Sequence, residues 1–484
     1  MSLTDTENNF RYERVLLINP PYPGSMERGA LRAGLGYVAE ALEQAGIEYE
    51  VLDMDLGYGL SDLKRRIKTF SPTLVGVSIM TYKYSQTYDL LHFIKNVANV
   101  PIVVGGPHIC ALEDKVLQEC LSVDFGIVGE GEEALVELCR GSDLDKIQGL
   151  VYRHNGDIMS GNERGFITNL DAIPYPKYRG FELNKYASRT IPIVSSRGCP
   201  NRCIFCTVSV SMGKKVRTRS PANVVDELEY WYGRGQRRFG IADDNFTFFA
   251  QKVFDICDEI ERRELRDLKL LCINGVRADK VSKELLLRMK EVGFCSIGIG
   301  VEGGNDKILK TIRKDETMAI IERAIENACN LGYEVSLHFV IGTPGETWKD
   351  IEDAFALAKK YPVRNAYFNN LIPYPKTELY EWVASRSRFL IDPVEYFDTV
   401  STSANIPVFE TPELSKEERV QALKQARLVT KEVRRSYYVR KLEKFGIGAL
   451  FLGRLVSLSD DFRDLLREGK WGRMLIRMIK PFLR

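Results

Sequence analysis

No stretch of this sequence reaches the roughly 18 apolar residues needed to cross a bilayer, and the opening MSLTDTENNFRYER carries no apolar signal segment. Membrane insertion and export are therefore not expected, and the expected location is the cytoplasm. Charge of one sign is also lacking. The 68 Lys and Arg against 66 Asp and Glu leave a formal +2, so no strongly basic domain points to nucleic acid. No G-x-G-x-x-G fingerprint follows the first strand-like run, which lowers a dinucleotide reading. Apart from one cysteine cluster, no Cys or His lies between 155 and 256, so a zinc site there would lack a nearby fourth ligand.

What is present is a chain of 484 residues, 44% hydrophobic and 28% charged, long enough for two or three domains with large cores. Ten cysteines fall at 110, 120, 139, 199, 203, 206, 257, 272, 295 and 329. In a reducing compartment clustered cysteines more often hold a metal than form disulfides. Cys295 and Cys329 read as apolar core residues.

Residues 15–160 alternate strand-like and helical runs. VLLIN (15–19), YEVLDMD (49–55), LVGVSIM (74–80), PIVVGG (101–106) and DFGIVGEG (124–131) alternate with helical patterns at 34–46, 60–69, 85–97 and 112–121, and EEALVELC (132–139) follows the last. Such alternation predicts a doubly wound, Rossmann-like parallel sheet over 11–147, with its ligand beyond the carboxyl ends of the strands. LVYRHNGDIMSG (150–161) reads as a hairpin turning at Asn155–Gly156, within a hairpin-and-linker segment 148–190. A second alternation starts at IPIVSSRG (191–198) and continues through strands at 238–243, 269–275, 296–302, 334–342 and 365–373. Six strand–helix steps suit a partial (β/α)6 TIM-type barrel over 191–384, followed by a helical C-terminal region, 385–484.

The segment Arg197-Gly198-Cys199-Pro200-Asn201-Arg202-Cys203-Ile204-Phe205-Cys206 carries a C-x3-C-x2-C spacing on a loop leaving a strand. Three soft thiolates on a short loop can surround one face of an iron–sulfur cubane, leaving one iron without a protein donor. The spacing alone leaves a zinc knuckle, a disulfide pair or incidental cysteines open. The segment resembles the signature of the radical S-adenosylmethionine superfamily, and the resemblance extends over about 191–380. It implies that Cys199, Cys203 and Cys206 hold a [4Fe–4S] cluster whose open iron chelates S-adenosylmethionine, with Phe205 as the aromatic residue before the last cysteine. It also implies that Asp243 and Asp244 lie near the methionine amino group, Glu302 near the ribose, and Ile341 near adenine. Reductive cleavage would give a 5′-deoxyadenosyl radical. From the residues alone, Asp243 and Asp244 also fit a helix cap or a solvent-facing turn.

GGPH (105–108) and GEGE (129–132) each follow a strand and precede a helix, where glycine admits close approach of a ligand. By themselves they fit a nucleotide, a flavin or no ligand. The whole arrangement is similar to the cobalamin-binding class of radical S-adenosylmethionine enzymes. That resemblance implies that loops bearing Tyr22, Ser78, Tyr82, Gly105, Gly106, Pro107, His108, Gly129, Glu130 and Gly131 cradle the corrin. One departure is plain: Pro20-Pro21-Tyr22-Pro23-Gly24 stands where a D-x-H-x-x-G motif would supply a histidine to cobalt, so that lower ligand is not expected. His108 fits equally a turn residue satisfied by the backbone.

Residues 440–484 hold eleven Lys and Arg against five Asp and Glu, and Trp471, Met474, Leu475, Met478, Ile479, Phe482 and Leu483 recur at three- and four-residue spacing. This predicts either a helix packed on the barrel or a basic amphipathic helix on the inner face of an anionic membrane. Tyr82, Tyr84, Tyr367, Asn369, Asn370 and Tyr374 are candidates to border a substrate cavity or to serve packing; no catalytic acid stands out. The leading expectation is a cobalamin-dependent radical methyltransferase acting on an unactivated carbon of a hydrophobic lipid or isoprenoid, fed electrons by a flavodoxin or ferredoxin. The alternatives are radical cyclisation, rearrangement or carbon–carbon coupling of a lipid or tetrapyrrole, and a non-catalytic cobalamin or metal sensor.

Overall fold

A computed structural model describes residues 11–22 and 29–442. The Pro23–Gly24 end of the first loop and the tail from 443 onward lie outside the described residues, so the amphipathic expectation there stands as an expectation. Among the described residues no helix is long and apolar enough to cross a membrane.

The first sheet contains β1 (Arg14–Asn19), β2 (Glu48–Asp53), β3 (Leu74–Ser78), β4 (Ile102–Gly105) and β5 (Phe125–Ile127), parallel in the order β2-β1-β3-β4-β5. Helices cover both faces, which is why these strands read as continuous apolar runs. The order reverses between β1 and β3, and the crevice at that switch point is where such sheets bind ligands. The hairpin of β6 (Leu150–His154) and β7 (Asp157–Ser160) turns on Asn155 and Gly156, both at positive φ (50° and 94°). It adds antiparallel to β5, extending the sheet to seven strands.

One helix begins earlier than the sequence suggests. Gly106 sits at φ +102°, where a Cβ would lie 3.0 Å from Ile79 O, and Pro107 follows at the first helical position. The helix Pro107–Leu112 therefore starts directly off β4, and a break at Glu113 (φ +53°) separates it from Asp114–Glu119. The 112–121 run is thus two short helices, and position 108 lies inside the first.

The second sheet holds six parallel strands in the order β15-β14-β13-β12-β11-β8. They are β8 (Ile191–Ile193), β11 (Arg238–Ile241), β12 (Lys269–Val276), β13 (Phe294–Glu302), β14 (Glu334–Ile341) and β15 (Asn365–Asn370). A two-stranded antiparallel ribbon, β9 (Ser196–Arg197) with β10 (Arg217–Thr218), brackets the cysteine loop. Helices pack outside by their apolar stripes: Ala250–Arg262 buries Val253, Ile256, Cys257 and Ile260, one face at helical spacing. Along β14 Val335, Leu337, Phe339 and Ile341 are buried, while alternate Ser336, His338 and Val340 face the inside of the curve. The long helix Lys416–Leu442 lies along the edge strand β15, where Thr430 Oγ1 donates to Ala366 O at 2.7 Å. Cys295 and Cys329 are half-buried rather than core residues.

The first sheet's carboxyl edge meets the cysteine-loop end of the second. Lys83 N–H donates to Phe397 O at 2.7 Å, Ser85 N–H donates to Asp398 Oδ1 at 3.1 Å, and Lys376 Nζ donates to Cys110 O at 3.2 Å.

Candidate functional site

A cavity of about 440 Å3 opens between the two sheets. On one side it is bounded by the strand ends of the first domain: Asn19, Ser78, Met80, Gly105, Gly106, Pro107, Gly129, Glu130 and Gly131. It continues inward as an apolar slot between the sheet and two helices, past Leu17, Leu35, Val38, Gly76 and Val103. On the other side stand Ser196, Arg197, Met212, Ala242, Asp244 and Asn274 of the barrel. Gly105 and Gly129 leave open space where a Cβ would stand, so a flat macrocycle can lie against the main chain. The apolar slot below suits the less polar end of a large cofactor's tail. These features fit a corrinoid.

Three residues expected at that cradle lie elsewhere. His108 is fully buried within the first turn of Pro107–Leu112, stacked on Tyr84 with ring centroids 4.5 Å apart, and its Nε2 lies 3.0 Å from Tyr88 Oη. Burial lowers its pKa to about 3, so the ring is neutral. The early helix start carries it away from the cavity. Tyr22 is buried and braces the adjoining loops: its hydroxyl donates to Ser78 O and accepts from Met80 N–H, both at 3.1 Å. Tyr82 is half-buried outside the cavity lining, with Lys83 Nζ 5.6 Å from its ring centre. Tyr84 packs edge-on against Phe397 at 6.5 Å, and Tyr374 stacks on the same ring at 5.7 Å. Tyr367 stacks on His338 at 5.1 Å, and Asn370 Nδ2 donates to Ile406 O at 2.8 Å, while Asn369 is half-buried on β15.

Glu130 both lines the cavity and ties the domains together. It accepts from Arg197 Nη1 at 2.8 Å, from Arg217 Nη1 at 2.7 Å and from Ile167 N–H at 2.7 Å, and Arg197 Nη2 reaches Glu132 at 2.7 Å. Burial opposes the charge of Glu130, but the Arg217 and Arg197 bonds outweigh it and its pKa falls. The Arg197 guanidinium also lies 4.7 Å from the Tyr37 ring centre. Sequence reasoning missed Arg197 and Arg217 as partners, although Arg197 directly precedes Gly198-Cys199.

The cysteine loop leaves β9 through Gly198 at φ +89°, where a Cβ would collide with Lys215 O. Only glycine fits there. Cys199 N–H donates to Gly213 O at 3.1 Å, Cys206 N–H to Cys203 O at 3.1 Å, and Ile204 N–H to Ile312 O at 3.2 Å, fixing the loop on two neighbouring segments. Phe205 is half-buried against the main core. The three thiols are partly exposed and close enough for their charges to interact. Asn201 Nδ2 lies 3.3 Å and Asn245 Nδ2 3.8 Å from Cys199 Sγ, and the buried Asn245 Oδ1 has no partner among the described residues. This all-thiol donor set on a braced loop is of the kind that would hold an iron–sulfur cluster.

The two adjacent aspartates diverge. Asp243 is buried and saturated by Ser195 N–H at 2.6 Å, Ser195 Oγ at 2.5 Å and Ser196 Oγ at 2.7 Å; burial still pushes its pKa up to about 6. It anchors the strand before the cysteine loop instead of facing the cavity. Asp244 accepts from Gly198 N–H at 2.9 Å and lines the cavity. Glu302 sits at φ +68°, an unusual conformation for a residue with a Cβ, and accepts from Lys314 Nζ at 3.3 Å. Lys314 is itself buried, lies 3.6 Å from Glu316, and interacts electrostatically with Cys203. Nothing local in the sequence marks Lys314, because barrel closure is what brings it to the cysteines. Ile341 is buried at the end of β14. Beyond it Glu346 folds back to accept from Gly342 N–H at 2.6 Å and Thr343 N–H at 3.2 Å, with buried Arg419 bonded to Gly342 O.

This geometry, a braced three-thiol loop at the mouth of a partial barrel facing a glycine-edged α/β sheet, fits an iron–sulfur enzyme with a second cofactor domain. Comparison agrees. The radical SAM superfamily matches residues 193–358, and the B12 binding domain matches 31–139. An uncharacterized methyltransferase of Pyrococcus horikoshii is 30% identical over 421 residues, spanning 83% of this chain and 90% of its own. The anaerobic magnesium-protoporphyrin IX monomethyl ester cyclase of Cereibacter sphaeroides is 26% identical, spanning 95% and 78%. The structure of the radical S-adenosylmethionine methyltransferase TsrM from Kitasatospora setae, with cobalamin and a [4Fe–4S] cluster bound, shares the fold at a TM-score of 0.70 and 20% identity, covering 86% of this chain and 91% of that one. The chain belongs to the cobalamin-binding radical S-adenosylmethionine enzymes. Its cofactors are a [4Fe–4S] cluster, S-adenosylmethionine and cobalamin.

Proposed function

We propose that this enzyme methylates an unactivated carbon of a hydrophobic substrate, with Cys199, Cys203 and Cys206 holding the cluster and the 105–107 and 129–131 loops holding cobalamin. The observation that carries the reading is the single cavity bounded both by those glycine loops and by Ser196, Arg197 and Asp244 beside the cysteine loop. Bound together, the cofactors supply a 5′-deoxyadenosyl radical and a methyl group to be transferred.

The chain's own residues then have distinct tasks. Asp244, at the cavity wall, is placed to receive the methionine ammonium of S-adenosylmethionine. Lys314, buried beside Cys203, is the cation suited to its carboxylate. Glu302, held by Lys314 Nζ at 3.3 Å, offers an acceptor for ribose hydroxyls. Asp243 and the Glu130–Arg197–Arg217 group position these elements without touching the reactants. Around the inside of the barrel, Ile273 and Val340 present apolar side chains, and Tyr367 an aromatic one, which supports a hydrophobic substrate.

A second reading, radical cyclisation of a tetrapyrrole, is favoured by the relative whose name specifies magnesium-protoporphyrin IX monomethyl ester. Anaerobically reconstituted enzyme incubated with methyl-deuterated S-adenosylmethionine and lipid extracts separates the two. Methylation predicts deuterated methyl in an apolar product together with 5′-deoxyadenosine. Deoxyadenosine with an unlabelled, newly cyclised product supports the second reading and overturns the first.

A further inference from the structure

The radical reaction consumes electrons that must enter the cluster from outside, and the surface over the cysteine loop is built to receive an anionic carrier. Segment 200–216 contains no Asp or Glu, and its cations Arg202, Lys214 and Lys215 are all exposed. Two backbone bonds bring cations together on both sides of the thiols. Cys199 N–H to Gly213 O sets Lys214 and Lys215 against one flank, and Ile204 N–H to Ile312 O sets the 310–313 turn, with exposed Lys310 and Arg313, against the other. Glu378 takes up Arg313 at 2.7 Å, and exposed Asp315 follows the turn. Arg202, Lys214, Lys215 and Lys310 have no carboxylate partner among the described residues. Exposed Phe166 lies against Gly213 at the rim of the patch.

The whole chain carries a formal charge of only +2, so this concentration is local. Exposed Asp306 lies one helical turn before Lys310, but cations left without an ion-pair partner repel one another, and a partner of opposite sign relieves that repulsion. A small charged rim with an aromatic contact matches the footprint of transient electron-transfer encounters, which bury less than about 1,200 Å2.

We propose that the patch formed by Arg202, Lys214, Lys215 and Lys310 is the docking surface for an acidic one-electron carrier protein, a flavodoxin or a ferredoxin, which delivers its electron to the cluster through the cysteine loop. The step is outer-sphere: the carrier is oxidised by one electron, the cluster is reduced by one, and no bond is made. The inference rests on the proposed cluster assignment.

The test is stopped-flow bleaching of the reconstituted cluster, followed with reduced flavodoxin, with reduced [2Fe–2S] ferredoxin and with dithionite. Wild type and the triple variant Lys214→Glu, Lys215→Glu, Lys310→Glu are compared, alongside a control reversing two exposed cations on the long helix, Lys424→Glu with Lys431→Glu. The expected result is a second-order rate with one or both protein carriers that falls with ionic strength and drops about tenfold or more in the triple variant. Dithionite bleaching of the triple variant and carrier rates of the control match wild type. Whichever carrier shows the effect is the partner class. Equal carrier rates in triple variant and wild type overturn the proposal, and salt-sensitive RNA retention lost in the triple variant with those rates unchanged reassigns the patch. If dithionite bleaches no cluster in wild type, the cluster assignment itself fails.

Discussion

At position 108 a neutral imidazole is sealed between Tyr84 and Tyr88, and its Nδ1 has no partner among the described residues. Protonation there would bury a charge. Its pKa is about 3 in the folded chain against an ordinary 6.5, so between those values the unfolded chain binds the extra proton. Stability from this residue is complete above pH 6.5 and is lost as the pH falls towards 3. The slope approaches 1.4 kcal/mol per pH unit, about 2 kcal/mol by pH 5. His108→Phe keeps an aromatic ring against Tyr84, and Tyr88 retains Glu119 as a partner at 3.2 Å. Urea denaturation of the apoprotein at pH 7.5 and pH 5 should show a smaller acid loss in the variant by about that amount; equal losses would refute the buried neutral imidazole. The sequence shows a histidine in Gly105-Gly106-Pro107-His108, which reads equally as a cofactor contact or a turn residue satisfied by the backbone. The same ambiguity covers Asp243 and Asp244, adjacent in sequence and opposite in role. Ser195 and Ser196, almost fifty residues earlier in the chain, saturate the first and leave the second at the cavity.

The elements that position the site are held by a few long-range contacts. Glu130, on the loop after β5, faces two arginines from the ribbon that brackets the cysteine loop, and all three side chains are buried. Removing the carboxylate leaves buried Arg217 without a carboxylate and Arg197 with only Glu132 in a poorly solvated interface. Glu130→Ala should cost about 3–5 kcal/mol in denaturant unfolding, the range for breaking a buried ion pair, whereas a loss below about 1 kcal/mol would show that the interface does not depend on it. Strands and the cysteine loop were legible in the sequence because their signals are local: apolar runs, a glycine before a cysteine, fixed spacing. The start of the helix at Pro107 is not legible locally, because it depends on Gly106 at positive φ with Ile79 O close by. The ion-pair partners of Glu130 were not legible, being 67 and 87 residues further along the chain.

In the whole molecule, the order of the first sheet places its switch point opposite the open end of the partial barrel, so that strand ends of both domains bound one cavity. The alternating pattern of strands and helices announces both layers, but nothing in it specifies how they face each other. The proposed cluster and corrin sites are braced separately, the cysteine loop on Ile312 and Gly213 and the glycine loop after β4 through Gly106 against Ile79 and Ser78. Gly106→Val places a branched side chain at φ +102° and against Ile79 O and Ser78 Oγ. It should lower cobalamin affinity at least tenfold in equilibrium dialysis while iron and sulfide content stay at wild-type levels. Loss of both cofactors together would contradict independent bracing.

The most direct test of the central claim is electron paramagnetic resonance of the reduced, reconstituted protein before and after S-adenosylmethionine is added. Wild type should show a [4Fe–4S]+ signal that shifts on addition, as an iron with a vacant coordination position requires, and the Cys199→Ala, Cys203→Ala, Cys206→Ala variant should show none. A wild-type signal unmoved by S-adenosylmethionine, or one that survives in the triple-alanine protein, would contradict the account.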